Sequence, residues 1–345
     1  MKKIGLLLIN LGSPDAPTPE AVGAYLREFL MDEKVIDVPA VLRWLLVHGV
    51  IVPRRKHQSA GLYRSIWREE GSPLIFHTRA LAEGLRRILA ASCVVEIGMR
   101  YGRPSIAEGM AALLAADVGR IIAVPLYPQY AESSYETAAI AARAAAREQG
   151  CADRLEFLPP FYDRPEFIAA CAARVREHRA AFAPDHLVFS YHSLPERHIK
   201  RLDVSGAHCL YRTDCCDEVR DVNRSCYRAH CVATTRAIAR ELALSPEAYS
   251  LSFQSRLGRA AWLGPQTEDL LRELASRGVR RVSVACPSFT ADCLETLEEI
   301  GERARLVFLD AGGEELRLIP ALNDHPAWVE ALAFLLPAAA AVRPA

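Results

Sequence analysis

In LVFSYHSLP (residues 187–195) a short apolar run ends in a histidine and then in a loop closed by proline. A run of this length bounded by a turn signal reads as a buried strand, so His192 stands where a strand gives way to a loop. A lone histidine is most often a hydrogen-bonded rim or core residue. The company of this one points elsewhere. LLLINLGSP (6–14) has the same plan, and two more pairs echo each other: VGRIIAVPLYPQ (118–129) with VRRVSVACPSFT (279–290), and IGMRYGRPSIAEGMAALLA (97–115) with LSFQSRLGRAAWLGPQTEDLLREL (251–274).

Strand-length apolar runs at 4–10, 94–98, 120–124, 187–191, 249–253 and 281–285 alternate with helical stretches at 19–30, 78–91, 105–116, 135–148, 266–277 and 291–304. Such alternation predicts α/β units around parallel sheets. The echoes predict two Rossmann-like, doubly wound domains related by weak internal duplication. The expected divisions are 1–164, 165–325 with a cysteine-rich insert at 204–231, and a helical segment, 326–345, packing back. Ligands of doubly wound sheets bind outside the carboxyl ends of the strands. His192, the LGSP loop, Arg100, Tyr101, PLYPQY, SFQSR and CPSFTADC all fall on that edge.

Composition narrows the function. The chain has 345 residues, with Lys+Arg and Asp+Glu both 42, so no basic excess points to nucleic acid. Neither GxGxxG nor a Walker sequence occurs, which disfavours a nucleotide ligand. MKKIGLLLIN starts like a signal peptide but lacks its length and cleavage site, and no run approaches a membrane span. A soluble, cytoplasmic protein is expected.

FTADCLETLEEIGERA (289–304) predicts a helix capped near Thr290. Asp292, Glu295 and Glu299 follow a three-and-four spacing and share one face, while Glu298 is offset and expected in solvent, and Cys293 is expected off that face. Acids near a helix start are commonly just solvated, but this helix follows a strand end. Imidazole on one side and carboxylates on the other suit proton removal and handling of a divalent metal.

Taken together, LLLINLGSPDAPTPEAVGAYLREFLMDEKVID, PLYPQYAESS, FSYHSLPERH, SFQSRLGRAAWLGPQT and ADCLETLEE resemble the ferrochelatases, in order from about residue 4 to 330. The resemblance implies a chelatase-like pair of Rossmann-like domains and Fe2+ insertion into protoporphyrin held in a cleft. It places His192 and Glu295 in the catalytic roles and Asp292 and Glu299 beside them on the iron path. It assigns Leu11, Arg100, Tyr101, Tyr130 and Ser133 to the porphyrin pocket, with Trp262 and Arg64 as wall and rim. NLGSPD favours the protoporphyrin-using branch over the coproporphyrin-using one. A cobalt or nickel chelatase, or a non-catalytic tetrapyrrole carrier or sensor, are the alternatives.

VLRWLLVHGVIVPRRKHQSAGLYRSIW (41–67) joins apolar residues to a basic run. Beside the resemblance it reads as a lip on a membrane surface, peripheral on the inner face of the cytoplasmic membrane, with room for contact with the preceding heme-pathway oxidase. HCLYRTDCCDEVRDVNRSCYRAHC (208–231) carries five of the ten cysteines. In a chain without a secretion signal such a cluster points to metal rather than disulfides. It resembles the internal insert of bacterial ferrochelatases with a [2Fe-2S] cluster, which assigns Cys209, Cys216, Cys226 and Cys231 as ligands, with Cys215 as the substitute for its neighbour. A four-thiolate zinc is the competitor, though CxxC pairs are missing.

Overall fold

The computed structural model describes residues 2–256 and 260–336. The middle of the SFQSRLGRAAWLGPQT stretch (257–259) and the end of the final helical segment (337–345) lie outside the described residues. The chain divides into two compact units. The first comprises Met1–Tyr127, Glu132–Pro160 and Asn323–Ala345, the second Pro128–Ala131 and Phe161–Leu322.

The first unit holds four parallel strands, β1 (Ile4–Ser13), β2 (Cys93–Gly102), β3 (Arg120–Pro125) and β4 (Leu155–Phe157), in the order β2-β1-β3-β4. Leu6, Leu7, Leu8 and Ile9 are all fully buried. Consecutive apolar burial is what a parallel strand covered on both faces requires. The helices are α1 (Pro19–Leu30), α2 (Ala40–Leu45), α3 (Val52–Ile66), α4 (Pro73–Leu89), α5 (Ile106–Ala115) and α6 (Thr137–Glu148). Helix α1 starts where Thr18 accepts the N–H of Ala21 and Pro19 takes the first helical position. Helix α5 starts with a reciprocal Ser105–Glu108 capping box. A π-helical turn, Leu46–Ile51, joins α2 to α3.

The second unit repeats the plan. Strands β5 (His186–His192), β6 (Tyr249–Gln254), β7 (Arg281–Ala285) and β8 (Glu315–Leu318) are parallel in the order β6-β5-β7-β8. Its helices are α7 (Pro165–Ala181), α8 (Glu196–Arg201), α9 (Tyr227–Glu241), α10 (Thr267–Ser276), α11 (Leu294–Leu297) and α12 (Arg305–Asp310). A last helix, α13 (Pro326–Leu335), returns to the first unit, where Val329 closes over Gly84 of α4. In each sheet the first strand has its successor on one side and the third strand on the other. The switch points are therefore β1/β3 and β5/β7, the places where doubly wound sheets bind ligands.

Four details differ from the sequence expectations. The edge strands β4 and β8 have three and four residues, too short for an apolar pattern to mark them. The change of unit falls at Pro160/Phe161, and the short piece Pro128–Ala131, with Tyr130, belongs to the second unit. The helix expected over 291–304 is broken: Cys293, not Thr290, takes the cap position of α11, and a π-helical stretch, Glu299–Ala304, follows before α12. Helices α7 and α9 form where none was expected.

Candidate functional site

The β5/β7 switch point is built around an overhang. Strand β5 pairs with β7 only as far as Phe189 opposite Ala285, but with β6 as far as His192 opposite Gln254. On the β7 side the His192 N–H would be left without a ladder partner, and it donates instead to Ser288 Oγ at 3.3 Å. The imidazole is fixed by its own neighbour, Nδ1 lying 2.7 Å from the carbonyl oxygen of Ser193. A carbonyl only accepts, so Nδ1 carries the hydrogen and Nε2 presents the lone pair in the neutral ring. Ser193 is itself braced, its N–H donating to Gln254 O at 2.7 Å and its Oγ to Leu263 O at 2.9 Å. The half-buried ring thus offers one basic nitrogen in a set orientation.

Gln254 links this histidine to the acidic segment. Opposite His192 on β6, it accepts from Ser190 Oγ at 2.7 Å and donates from Nε2 to the Glu295 carbonyl at 2.7 Å. Asp292 is almost fully buried and accepts from Thr296 Oγ1 at 2.8 Å and from Ala321 N–H at 3.2 Å. Glu299 accepts from Ser255 N–H at 2.8 Å and Oγ at 2.5 Å, and pairs with Arg303 at 3.5 Å. Burial, with the Glu295 carboxylate beside it, pushes the Cys293 thiol well up, so this cysteine lies against the acids, contrary to expectation. Glu298 also departs from expectation. Its side chain is only 12% exposed, and burial, with Glu299, Glu295 and Glu302 nearby, raises its pKa despite Arg303. In this row Asp292 and Glu299 are tied down, Glu295 is braced through its backbone, and burial pushes Glu298 towards its protonated form.

At the carboxyl edge of the first sheet a different cluster forms. Asp32, just beyond α1, accepts from Arg100 Nη2, from Tyr101 Oη at 2.9 Å and from Thr137 Oγ1, and its Oδ1 receives the Lys34 N–H at 2.7 Å. Burial opposes ionisation of Asp32, but the Thr137, Lys34 and Tyr101 hydrogen bonds and the Arg100 charge outweigh it and lower its pKa. Arg100 also stacks over the Tyr101 ring, 4.4 Å from its centroid. Burial raises Tyr101 and keeps it a neutral donor. Asp32 and Thr137 were not singled out from sequence. The available signal was that an arginine at a buried strand end needs a carboxylate.

Leu11 is half-buried beside Gly12, whose φ of +108° and approach to Tyr101 O leave no room for a Cβ. Ser133 sits in the π-helical turn Glu132–Glu136 before α6. Arg64 is exposed in the last turn of α3. In the second unit the Tyr130 N–H donates to His230 Nδ1 at 3.2 Å, and Trp262 pairs in a short bridge with Pro195.

The cysteine segment is compact. Asp203 collects N–H groups of Ser205, His208 and Cys209 together with Ser205 Oγ, which sets the turn leading into it. Cys209, Cys215, Cys216, Cys226 and Cys231 are all buried and free of disulfides. The sulfurs of Cys215 and Cys216 are 3.7 Å apart, Cys226 contacts both Cys209 and Cys216, and Arg228 Nη1 lies 3.1 Å from Cys216. Cys215 also receives the Leu210 N–H at 3.4 Å. Cys231 is fully buried on α9. Among the described residues no three His, Cys, Asp or Glu side chains close on a point at single-ion spacing.

Paired α/β units, with a fixed imidazole and carboxylates at a switch point, define the chelatase class of fold. Two solved structures share it: SirB from Bacillus subtilis with Fe3+ (TM-score 0.54, 13% identity, 99% of this chain and 98% of that one) and the sirohydrochlorin chelatase SirB from Bacillus subtilis subspecies spizizenii in complex with cobalt (0.52, 13%, 95% and 92%). The family model for ferrochelatase matches residues 3–339. Proteins named ferrochelatase from Azotobacter vinelandii (strain DJ) and Coxiella burnetii (strain Dugway) are 49% and 45% identical, covering 96% of this chain and 97% and 92% of their own. The chain belongs to the ferrochelatase family.

Proposed function

We infer that this chain is a lyase that inserts Fe2+ into protoporphyrin IX to give protoheme in heme biosynthesis. The observation that carries the reading is the linked pair at the β5/β7 switch point. His192 Nε2 is left with its lone pair by the Ser193 lock, and Gln254, opposite His192, holds the Glu295 backbone.

Metallation requires two pyrrole N–H protons to leave and a hydrated ferrous ion to shed water. His192 Nε2 is the base or first ligand, since its other nitrogen is already committed. Glu295, with the Cys293 thiol at its carboxylate, is the acid nearest that brace. Glu298, its pKa raised by burial, passes protons outward, while Asp292 and Glu299 keep the segment rigid. The porphyrin roles of Leu11, Arg64, Arg100, Tyr101 and Ser133 in the first unit, and of Tyr130 and Trp262 in the second, rest on the ferrochelatase resemblance.

The exposed side chains of Val41, Leu42, Trp44 and Leu45, with Arg54 and Arg55 beyond them, support peripheral docking on an anionic membrane surface that delivers an apolar porphyrin. No helix among the described residues is long and apolar enough to cross a membrane. The mutual contacts of Cys209, Cys215, Cys216 and Cys226, with the Leu210 N–H and Arg228 aimed at their sulfurs, fit a thiolate-held [2Fe-2S] cluster. The Leu210 N–H and the Cys216 sulfur beside Cys215 support it as the substitute ligand, with Cys231 keeping its expected place. The cluster would supply a structural or redox element near the start of α9. Anaerobic incubation with Fe2+ and protoporphyrin tests the central reading: protoheme formation supports it, and porphyrin binding without insertion indicates a carrier.

A further inference from the structure

A seam of buried hydroxyls runs through the second sheet and ends at Gln254. Ser190 on β5, its register partner Ser252 on β6, Thr267 at the start of α10 and Gln254 itself are all buried. The Gln254 amide nitrogen faces the Glu295 carbonyl at 2.7 Å, and a carbonyl only accepts, so the amide oxygen is the end turned to Ser190. Ser190 Oγ gives its one hydrogen to that oxygen at 2.7 Å. The Thr267 hydroxyl, 2.7 Å from Ser190, must then donate to it, and the Ser252 hydroxyl, 2.9 Å from Thr267, donates in turn. Cys286 Sγ adds a longer contact to the same amide oxygen at 3.6 Å. Every hydrogen along the seam runs towards Gln254.

Val188, on the same face of β5 as Ser190, and Leu270, Leu271 and Leu274 of α10 belong to the apolar core of this unit. Replacing matched hydrogen-bond partners in such a core by apolar groups of the same shape is close to neutral, so folding alone does not call for the seam. What lies at its end does. The Gln254 backbone carbonyl takes the Ser193 N–H at 2.7 Å, next to the Ser193 carbonyl that locks His192, while its side chain holds Glu295. The next residue, Ser255, has a φ of +71°, rare for serine, and gives its N–H and hydroxyl to the Glu299 carboxylate.

We propose that Ser190, Thr267 and Ser252 are positioning residues that act through Gln254, fixing which way its amide faces so that one residue keeps His192 and Glu295 in register. The inference rests on the ferrochelatase reading. An amide turned over would set its oxygen against the Glu295 carbonyl and release that backbone together with the carboxylate it carries. The seam side chains are buried, so they act on the two reacting groups and not on the porphyrin. Loss of the seam therefore slows insertion without weakening porphyrin binding.

The test is steady-state Fe2+ insertion into protoporphyrin by the parent, Gln254→Met, Ser190→Ala, Thr267→Val and Thr267→Ser, with far-UV dichroism for each. Misplacing a reacting group by about 1 Å lowers kcat about a hundredfold, the loss expected for Gln254→Met. Losing one aligned hydrogen bond lowers it about tenfold, the loss expected for Ser190→Ala. Thr267→Val, which keeps the shape, falls about threefold or more, and Thr267→Ser, which keeps the hydroxyl, returns to the parent. The KM for porphyrin stays unchanged throughout, as for groups that act only in the transition state. An active parent with kcat unchanged in folded Gln254→Met or Ser190→Ala overturns the inference, as does a loss carried by KM, or a Thr267→Ser no better than Thr267→Val. A parent that inserts no iron overturns the ferrochelatase reading and this inference with it. If Gln254→Met does not fold, Ser190→Ala and the Thr267 pair decide.

Discussion

Replacing Asp32 by asparagine keeps the shape of the side chain and removes the charge on which the first unit's polar cluster converges. Its carboxylate takes four donors, from Arg100, Tyr101, Thr137 and the Lys34 backbone, and is itself only 6% exposed. An asparagine has a single acceptor oxygen, so at least one buried donor is orphaned and the Arg100 charge loses its partner. A hydrogen bond to a charged group contributes about 1.5–3 kcal/mol, and breaking a buried pair costs about 3–5 kcal/mol. Arg100 remains 21% exposed, so water offsets part of this and about 3 kcal/mol is expected. At a urea dependence near 3 kcal/mol per molar, that lowers the unfolding midpoint by about 1 M. Because the folded pKa of Asp32 is depressed, the contribution is fully present above the unfolded value of about 3.9 and is lost as pH falls through the folded value. Urea titrations of parent and Asp32→Asn at pH 7 and at pH 3 measure both effects. An unfolding free energy at pH 7 within about 0.5 kcal/mol of the parent's would refute the reasoning.

Burial lowers the pKa of His230 to about 4. The sign is that of a depressed group, so its contribution is present above about 6.5 and fades on acidification, worth about 2–3 kcal/mol over that span. Unfolding midpoints between pH 7 and 4 should fall, and fall less in His230→Asn. Trp44→Ser with Leu45→Ser should lower partitioning onto anionic vesicles about tenfold or more, as sedimentation would show, because each fully buried large apolar side chain contributes about 1.5–3 kcal/mol; unchanged partitioning would remove the membrane lip. Cys226→Ser should abolish bound iron and inorganic sulfide in protein purified without oxygen, since Cys226 contacts both Cys209 and Cys216; full iron and sulfide in this variant would exclude Cys226 as a ligand.

Much of this arrangement is legible in residues because of how parallel strands are made. Runs such as LLLI and LVF are apolar at every position, since both faces are covered, and the proline after each marks where the sheet ends. That put His192 at a carboxyl edge before any coordinates. Short edge strands bury too little to leave a pattern, which is why β4 and β8 were missed. Helix α9 follows a segment whose cysteines and arginines mask its helical spacing. The acidic row was seen as residues but not as geometry: the π-helical turn after α11 draws Glu298 out of solvent, and no spacing rule for a regular helix shows that. Asp32, Gln254 and Ser288 were missed for a shared reason. Each acts by satisfying a group on another element, and such pairings are a property of the fold rather than of local sequence.

The most direct test of the account is anaerobic Fe2+ insertion into protoporphyrin by the parent and by His192→Ala, with porphyrin affinity measured for both. The account predicts protoheme formation by the parent, porphyrin binding by the variant within about threefold of the parent, and a kcat in the variant lower by about a thousandfold, of the order expected for loss of a positioned general base. A variant that still turns over within about tenfold of the parent would contradict it.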